Sequence, residues 1–205
     1  MRRVLLLLLV AVLAGCGGDD DGGGGEAQQS DCQVQGDGQL AELEEGKTYR
    51  LVVQTNKGPF TIELDRETAP CASASFVSLA QKGFFNGITF HRIVPGFVIQ
   101  GGDPTGKGTG GPGYSTVDVP PDDAQYTKGV VAMAKTLSEP AGTAGSQFFV
   151  VTAEDSGLGP DYAVLGKVVE GLDVVEKIGK LGNPADPAGT PTEKVTIDKM
   201  ELTTG

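Results

Sequence analysis

The sequence predicts a mainly β domain in which eight strands close into a barrel and two helices cap its open ends. Three observations lead there. Eight short runs rich in β-branched and aromatic residues recur between Gly- and Pro-containing turns over 48–202. The apolar period switches to that of a helix at two places, between Pro70 and Gly83 and over 171–180. No internal repeat divides the domain, and about 155 residues suffice for one core that buries roughly 68–70% of the unfolded chain's surface. Eight strands make a barrel just wide enough to be filled by side chains.

The chain starts with Met1-Arg2-Arg3 and an unbroken apolar run, 4–13. A bilayer span needs roughly 20 residues, so the run suits the core of a signal peptide, 1–15. Leu13-Ala14-Gly15-Cys16 resembles the bacterial lipobox, in which a peptidase cuts before a cysteine whose thiol carries diacylglycerol. The competing reading is an ordinary signal peptide with an incidental cysteine. Residues 16–47 then form a lipidated, flexible tether. Over 17–30 it is rich in Gly, Asp and Gln and has no large apolar side chain, a composition that cannot bury enough surface to order itself. Leu40 and Leu43 let the end of the tether pack on the domain, which occupies 48–205.

Within the domain, Tyr49, Leu51 and Val53 alternate along a strand over 48–55, Asn56-Lys57-Gly58 turns, and 60–64 returns. Thr68 and Pro70 mark a helix start, Ala72, Phe76, Leu79 and Ala80 share one face, and Gly83 ends it. Two apolar runs in 88–100 are separated by Pro95-Gly96 and read as consecutive strands. A Gly-rich loop (104–114) and an extended, Pro-rich stretch (117–123) follow. Strands are expected at 129–134, 147–152, 163–169 and 195–202, with a loop at 136–145. The second helix carries Leu172, Val175 and Ile178 at helical spacing.

The chain holds 16 Lys and Arg against 27 Asp and Glu, a net charge of −11. An acidic domain without a basic stripe excludes nucleic acid as a partner. It also excludes electrostatic attachment to anionic lipid, which leaves acyl chains to hold the protein at a membrane. Export puts Cys32 and Cys71 in a disulfide-permissive compartment, where a Cys32–Cys71 bond and two buried thiols both remain open. His91 is the only histidine and the cysteines lack CxxC spacing, so no metal site is expected.

Two Gly-rich matches mislead. GKGTGG at 106–111 fits G-x-G-x-x-G, but Pro112 follows where a helix must open. Residues 101–108 nearly fit a P-loop, but Gly108 stands where Ser or Thr would hold magnesium. No cofactor is expected, and the glycines serve to turn the backbone. His91 as a general base lacks a nucleophile in an elbow, and in a strand it points opposite to Arg92.

The stretch 88–103 sets the lone Arg92 among apolar residues, where its charge must be paired or belong to a site. FHRIVPGFVIQGGD at 90–103 resembles the signature of the cyclophilins, the cyclosporin-binding family of peptidyl-prolyl cis-trans isomerases. GSQFF at 145–149 and GKV at 166–168 follow in that family's order, and the resemblance covers roughly 48–202. It implies a cyclophilin-like fold, a closed eight-stranded antiparallel β-barrel capped by two α-helices. It implies isomerase activity without a cofactor and proline-containing polypeptides as partners.

Residue by residue, the resemblance makes Arg92 catalytic and places Phe97, Val98, Phe149 and Leu158 around the proline ring. Gln100 steadies the arginine and contacts the peptide. Ala134, Lys135 and Gln147 fall on the neighbouring groove, which holds the preceding residue. Tyr162 falls where animal members have a histidine at the pocket rim, Lys135 where they have an asparagine, and Gly157 where they have the tryptophan important for cyclosporin.

An X-Pro bond isomerises unaided over tens to hundreds of seconds, against a barrier of roughly 18–20 kcal/mol from amide resonance. No bond breaks, so no nucleophile or metal is needed. The catalyst must favour the twisted amide over both planar forms. The twisted nitrogen regains its lone pair, and the fixed, always charged fork of an arginine can donate to it. The sequence therefore predicts a monomeric folding catalyst for exported or envelope proteins, lipid-anchored at the extracytoplasmic face. The alternative is a proline-segment binding module or chaperone with little catalysis, which a rate measurement separates.

Overall fold

The computed structural model describes residues 32–205. The expected signal peptide (1–15), the expected lipidation site Cys16 and the Gly/Asp-rich tract (17–30) lie outside the described residues. Among the described residues, no helix is long and apolar enough to cross a membrane. In chain order the elements are β1 (Val34–Gly36), β2 (Tyr49–Thr55), β3 (Gly58–Leu64), α1 (Pro70–Gln81), β4 (Arg92–Val94), β5 (Val98–Gly101), β6 (Tyr114–Val117), β7 (Val130–Met133), β8 (Thr143–Ala144), β9 (Phe148–Val151), β10 (Val164–Glu170), α2 (Leu172–Gly179) and β11 (Ile197–Thr204).

Eight strands form one sheet in the order β11-β2-β3-β10-β7-β9-β5-β4, and its neighbours are antiparallel. The expected closed barrel is corrected here: the sheet is an open half-barrel, with β11 and β4 as its edges. The loop between α2 and β11 occupies the free edge of β4, where the Ile93 N–H donates to Gly189 O at 2.7 Å. That edge is therefore taken before β11 can reach it. Ahead of β4 the chain meets the start of β11 at a bridge between Thr89 and Thr196, with backbone hydrogen bonds from the Gly87 N–H to Ile197 O, the Ile197 N–H to Ile88 O and the Phe90 N–H to Val195 O.

Alternation builds the core. In β2, Tyr49, Leu51 and Val53 are buried at every second position, as a strand with one face inward requires. Leu51, Phe60, Ile99 and Phe148 join Phe76 of α1 and Val175 of α2 in one main cluster. Three short strands escape the sequence reading. β1, β6 and β8 form a separate sheet in the order β1-β6-β8, although β1 falls in the tether and β8 inside a loop. The described part of that tether, from residue 32 on, lies against the domain: the Ala41 N–H donates to Ala74 O and Ser78 Oγ to Gln39 O. This covers the small-residue side of α1, so the helix is buried on nearly every side from Cys71 to Ala80.

The start of α1 is held from a distance. Pro70 occupies its first turn, and the N-cap residue, Ala69, supplies no side-chain cap. The carboxylate of Asp118 does so instead, accepting the N–H groups of Cys71 at 3.1 Å and Ala72 at 2.7 Å. A negative group there also meets the positive end of the helix dipole. Burial pushes the Asp118 carboxyl up, and those two N–H groups draw it back. In the same turn Cys71 is bonded to Cys32, with Cα atoms 5.4 Å apart. Asp118→Ala should therefore behave like the loss of an N-cap. It should lower unfolding stability by about 1–2 kcal/mol, read as a lower urea midpoint at unchanged slope.

Candidate active site

The site is built on the outer face of the sheet by register. Arg92 of β4 lies opposite Gln100 of β5, Gln100 opposite Phe149 of β9, and Phe149 opposite Ala132 of β7. The adjacent row, Ile93, Ile99, Val150 and Val131, faces the main core. The outer row carries a second, smaller cluster of Val98, Tyr126, Ala132, Phe149 and Val151, with Phe97, Leu158 and Tyr162 packed against it. This is why all four residues of β9 are buried: Phe148 and Val150 fill the main core, and Phe149 and Val151 fill the outer cluster.

The rim is fixed by aromatic and backbone contacts. Phe149 and Tyr162 meet edge to face with centroids 5.4 Å apart. Tyr126 is 1% exposed, and its hydroxyl donates to Tyr162 O at 2.6 Å and accepts the Tyr162 N–H at 3.1 Å. Tyr126 sits in an irregular stretch with no periodicity to flag it, so the sequence reading misses it. The Pro95-Gly96 turn needs glycine, since Gly96 has φ 68°. Beyond the turn, the carbonyl of Phe97 accepts the Thr152 N–H at 2.8 Å, which seats Phe97 beside the end of β9.

Arg92 is half-buried, with its guanidinium carbon 5.9 Å from the centroid of the Phe97 ring. None of the ion pairs among the described residues involves it, so its charge stands beside the pocket without a carboxylate. Gln100 faces Arg92 in the ladder, but its amide Nε2 donates to Gln147 Oε1 at 3.2 Å, and Gln147 Nε2 donates to Gly110 O at 2.9 Å. That relay crosses a groove of about 280 Å³ lined by Gln100, Ala134, Lys135 and Gln147 on one side and by Gly110 and Tyr114 on the other.

Ala134 is tied across the groove floor by its N–H to Gln147 O. Lys135 lines the groove, yet its side chain is only 3% exposed and its ammonium pairs with Asp161 at 2.6 Å. What Lys135 offers to the groove is its backbone, since its side chain is buried. Gly157 is exposed at φ 68°, and a Cβ there would meet nothing within 4 Å. No ring stands at that rim position.

Asp103 explains the Gly-rich loop. Its carboxylate, 1% exposed, accepts the N–H groups of Thr105, Lys107, Gly108 and Thr109 and the hydroxyl of Thr105. The loop's donors thus enclose the chain's own anion, so they make no phosphate cradle. Burial would raise the Asp103 carboxyl, but the Thr105, Gly110 and Gly108 donors outweigh it and hold it at about 2. His91 lies beneath this loop, with its Nε2 3.6 Å from where a Cβ on Gly108 would stand. Burial lowers its pKa, the Asp103 charge opposes this and the Arg92 charge adds to it. The balance lowers it, which favours the neutral ring, and its buried Nδ1 has no hydrogen-bond partner among the described residues.

The sequence and the overall fold are similar to those of known proteins. The family model described as cyclophilin type peptidyl-prolyl cis-trans isomerase/CLD matches residues 50–202. A peptidyl-prolyl cis-trans isomerase of Helicobacter pylori is 41% identical over 143 residues, covering 68% of this chain and 86% of that protein. Peptidyl-prolyl cis-trans isomerase B of Bacillus subtilis is 42% identical over 132 residues, 63% of this chain and 88% of that one. The crystal structure of a cyclophilin type peptidyl-prolyl cis-trans isomerase from Cryptosporidium parvum superposes with TM-score 0.67 at 27% identity, covering 76% of this chain and 98% of that one. Another, obtained in the presence of the dipeptide Ala-Pro, has TM-score 0.66 at 28% identity and covers 75% and 98%.

The Asp103 nest has a measurable signature. A carboxyl depressed in the folded state contributes stability that is complete above its unfolded value of 3.8 and is lost as the pH falls through about 2. Asp103→Asn should cost roughly 2 kcal/mol at pH 7. The gap to wild type in urea unfolding should shrink as the pH is lowered from about 4 towards about 2.

Proposed function

The chain belongs to the cyclophilin-type peptidyl-prolyl cis-trans isomerases, and from that premise we propose that Arg92 is its catalytic group and that the outer cluster seats the proline ring. The observation that carries this is the placement of Arg92 on one row with Gln100 and Phe149, beside Phe97, with no ion-paired carboxylate among the described residues. Phe97, Val98 and Phe149 form an apolar floor for the ring, with Leu158 and Tyr162 at its edge. Ala134, Gln147 and the backbone of Lys135 hold the residue before the proline, while the Gln100–Gln147 relay offers polar atoms to the peptide backbone. The relative obtained with Ala-Pro, a small residue followed by proline, suits such a pair of subsites.

The step follows from these positions. With the ring held, rotation about the X-Pro bond pyramidalises the nitrogen and returns its lone pair. The guanidinium donates to that lone pair, an interaction the planar forms cannot make, so it lowers the barrier selectively. No proton is transferred, and a neutral His91 beneath the loop has no part in the reaction.

We further propose that diacylglycerol on Cys16 holds the domain, as a monomer, at the extracytoplasmic face of a membrane, where it acts on exported proteins. The support is the sequence of the first sixteen residues. Cys16→Ser should leave the protein unprocessed or release it from the membrane fraction. A variant that fractionates and migrates like wild type removes the anchor reading.

For catalysis, kcat/KM on a proline peptide should fall by about 10²–10³ in Arg92→Ala, the usual effect of losing one preorganised donor. Arg92→Lys should be nearly as slow, because a point charge does not replace a planar fork. His91→Gln should retain most activity, and the wild-type rate should stay flat from pH about 6 to about 8. Full activity in a folded Arg92→Ala protein overturns the assignment.

A further inference from the structure

We propose that the N-terminal arm, clasped by the Cys32–Cys71 disulfide, positions one wall of the peptide groove and so sets the affinity for substrate residues preceding the proline. This rests on the reading above, in which that groove holds those residues.

The small sheet β1-β6-β8 is the frame of the groove. β6 supplies Tyr114 and Ser115 to one wall, and β8 runs directly into Gly145, Ser146 and Gln147 of the other. The two are paired through Thr116–Ala144 and Val117–Thr143. β1 lies on the far side of β6, pairing Gln35 with Ser115 and Gly36 with Tyr114. Tyr114 is then held from three directions. Its backbone is laddered to β1. Its ring lies on Gly38, where a Cβ would come within 2.3 Å of it. Its hydroxyl is 2.9 Å from Ser75 Oγ on α1.

Both ends of this arrangement converge on the first turn of α1. Cys71 is bonded to Cys32, just ahead of β1. The Cys71 and Ala72 N–H groups hold Asp118, the residue after β6. The ring of connections is therefore closed: Cys32, β1, β6, Asp118, α1, Cys71. A three-residue strand at the edge of a small sheet frays unless it is tied down. The disulfide is that tie. Without it the Tyr114 wall becomes mobile, and a peptide must order the wall when it binds. Arg92 and Phe149 stand on β4 and β9 of the other sheet, so turnover of a short substrate needs no help from the clasp.

The test uses the full chain and two peptides, one with a single residue before proline and one with three. Affinity and exchange rate are measured by NMR for wild type, for wild type reduced with dithiothreitol, for Cys32→Ser, and for Ser75→Ala, which keeps the disulfide. Dithiothreitol passes two electrons to the S–S bond, freeing two thiols as it closes to its own cyclic disulfide. The longer peptide should bind about three- to tenfold more weakly in the reduced protein and in both variants, the scale of ordering one or two side chains. The exchange rate of the shorter peptide should be unchanged, and reoxidation should restore the affinity.

Unchanged affinity for the longer peptide in the reduced protein and in Cys32→Ser overturns the inference while leaving the isomerase reading intact. An equal loss on both peptides in every altered form also overturns it. If oxidised wild type neither binds nor isomerises either peptide, the groove reading fails first and the inference with it.

Discussion

The pocket depends on the register between β4, β5 and β9, because side chains alternate faces and a slip of one residue would exchange them. In the observed register Ile93, Ile99 and Val150 enter the main core while Arg92, Gln100 and Phe149 enter the pocket. The apolar demand of the core therefore aims the polar row outward. Few positions within these strands are free to change, since both faces of β9 are covered. The Pro95-Gly96 turn sets the same register from the other end.

A cation on that row is costly to hold away from water, and its cost is what makes it useful. Arg92 has an aromatic face nearby and no carboxylate among the described residues. Lys135 shows the opposite solution a short distance away, with its ammonium withdrawn onto Asp161. One charge is neutralised and becomes part of the wall. The other has no ion-pair partner among the described residues and stands beside the Phe97 ring.

Two carboxylates organise the loops around this machinery, in contrasting surroundings. Asp103 is enclosed by N–H and O–H donors and held strongly acidic at about 2, and it gives the Gly-rich loop its shape. Asp118 has two donors against heavy burial and is pushed up. It links the end of β6 to the start of α1, next to the disulfide. The groove thus lies between a loop wound on one buried anion and a sheet moored by another.

Both helices and the main strands were legible in the sequence, because periodicity marks elements, and the 90–103 and 145–149 motifs contain the row of Arg92, Gln100 and Phe149 that the register brings together. Phe76, Leu79 and Val175 at helical spacing and Leu51 and Val53 at strand spacing report burial directly. Pairing between distant edges leaves no such mark. Nothing in 195–202 says that Gly189 will claim the β4 edge and leave the sheet open. Nor does a three-residue strand in a polar arm carry a period that could reveal β1, and the capping of α1 by Asp118 spans 46 residues from Ala72. The sequence by itself determined which side chains are apolar and that Arg92 is the lone cation set among them in the 88–103 stretch. The tertiary structure alone decided which strand edges meet, whether Cys32 finds Cys71 and what encloses Asp103, because those contacts join residues whose local patterns are independent of one another.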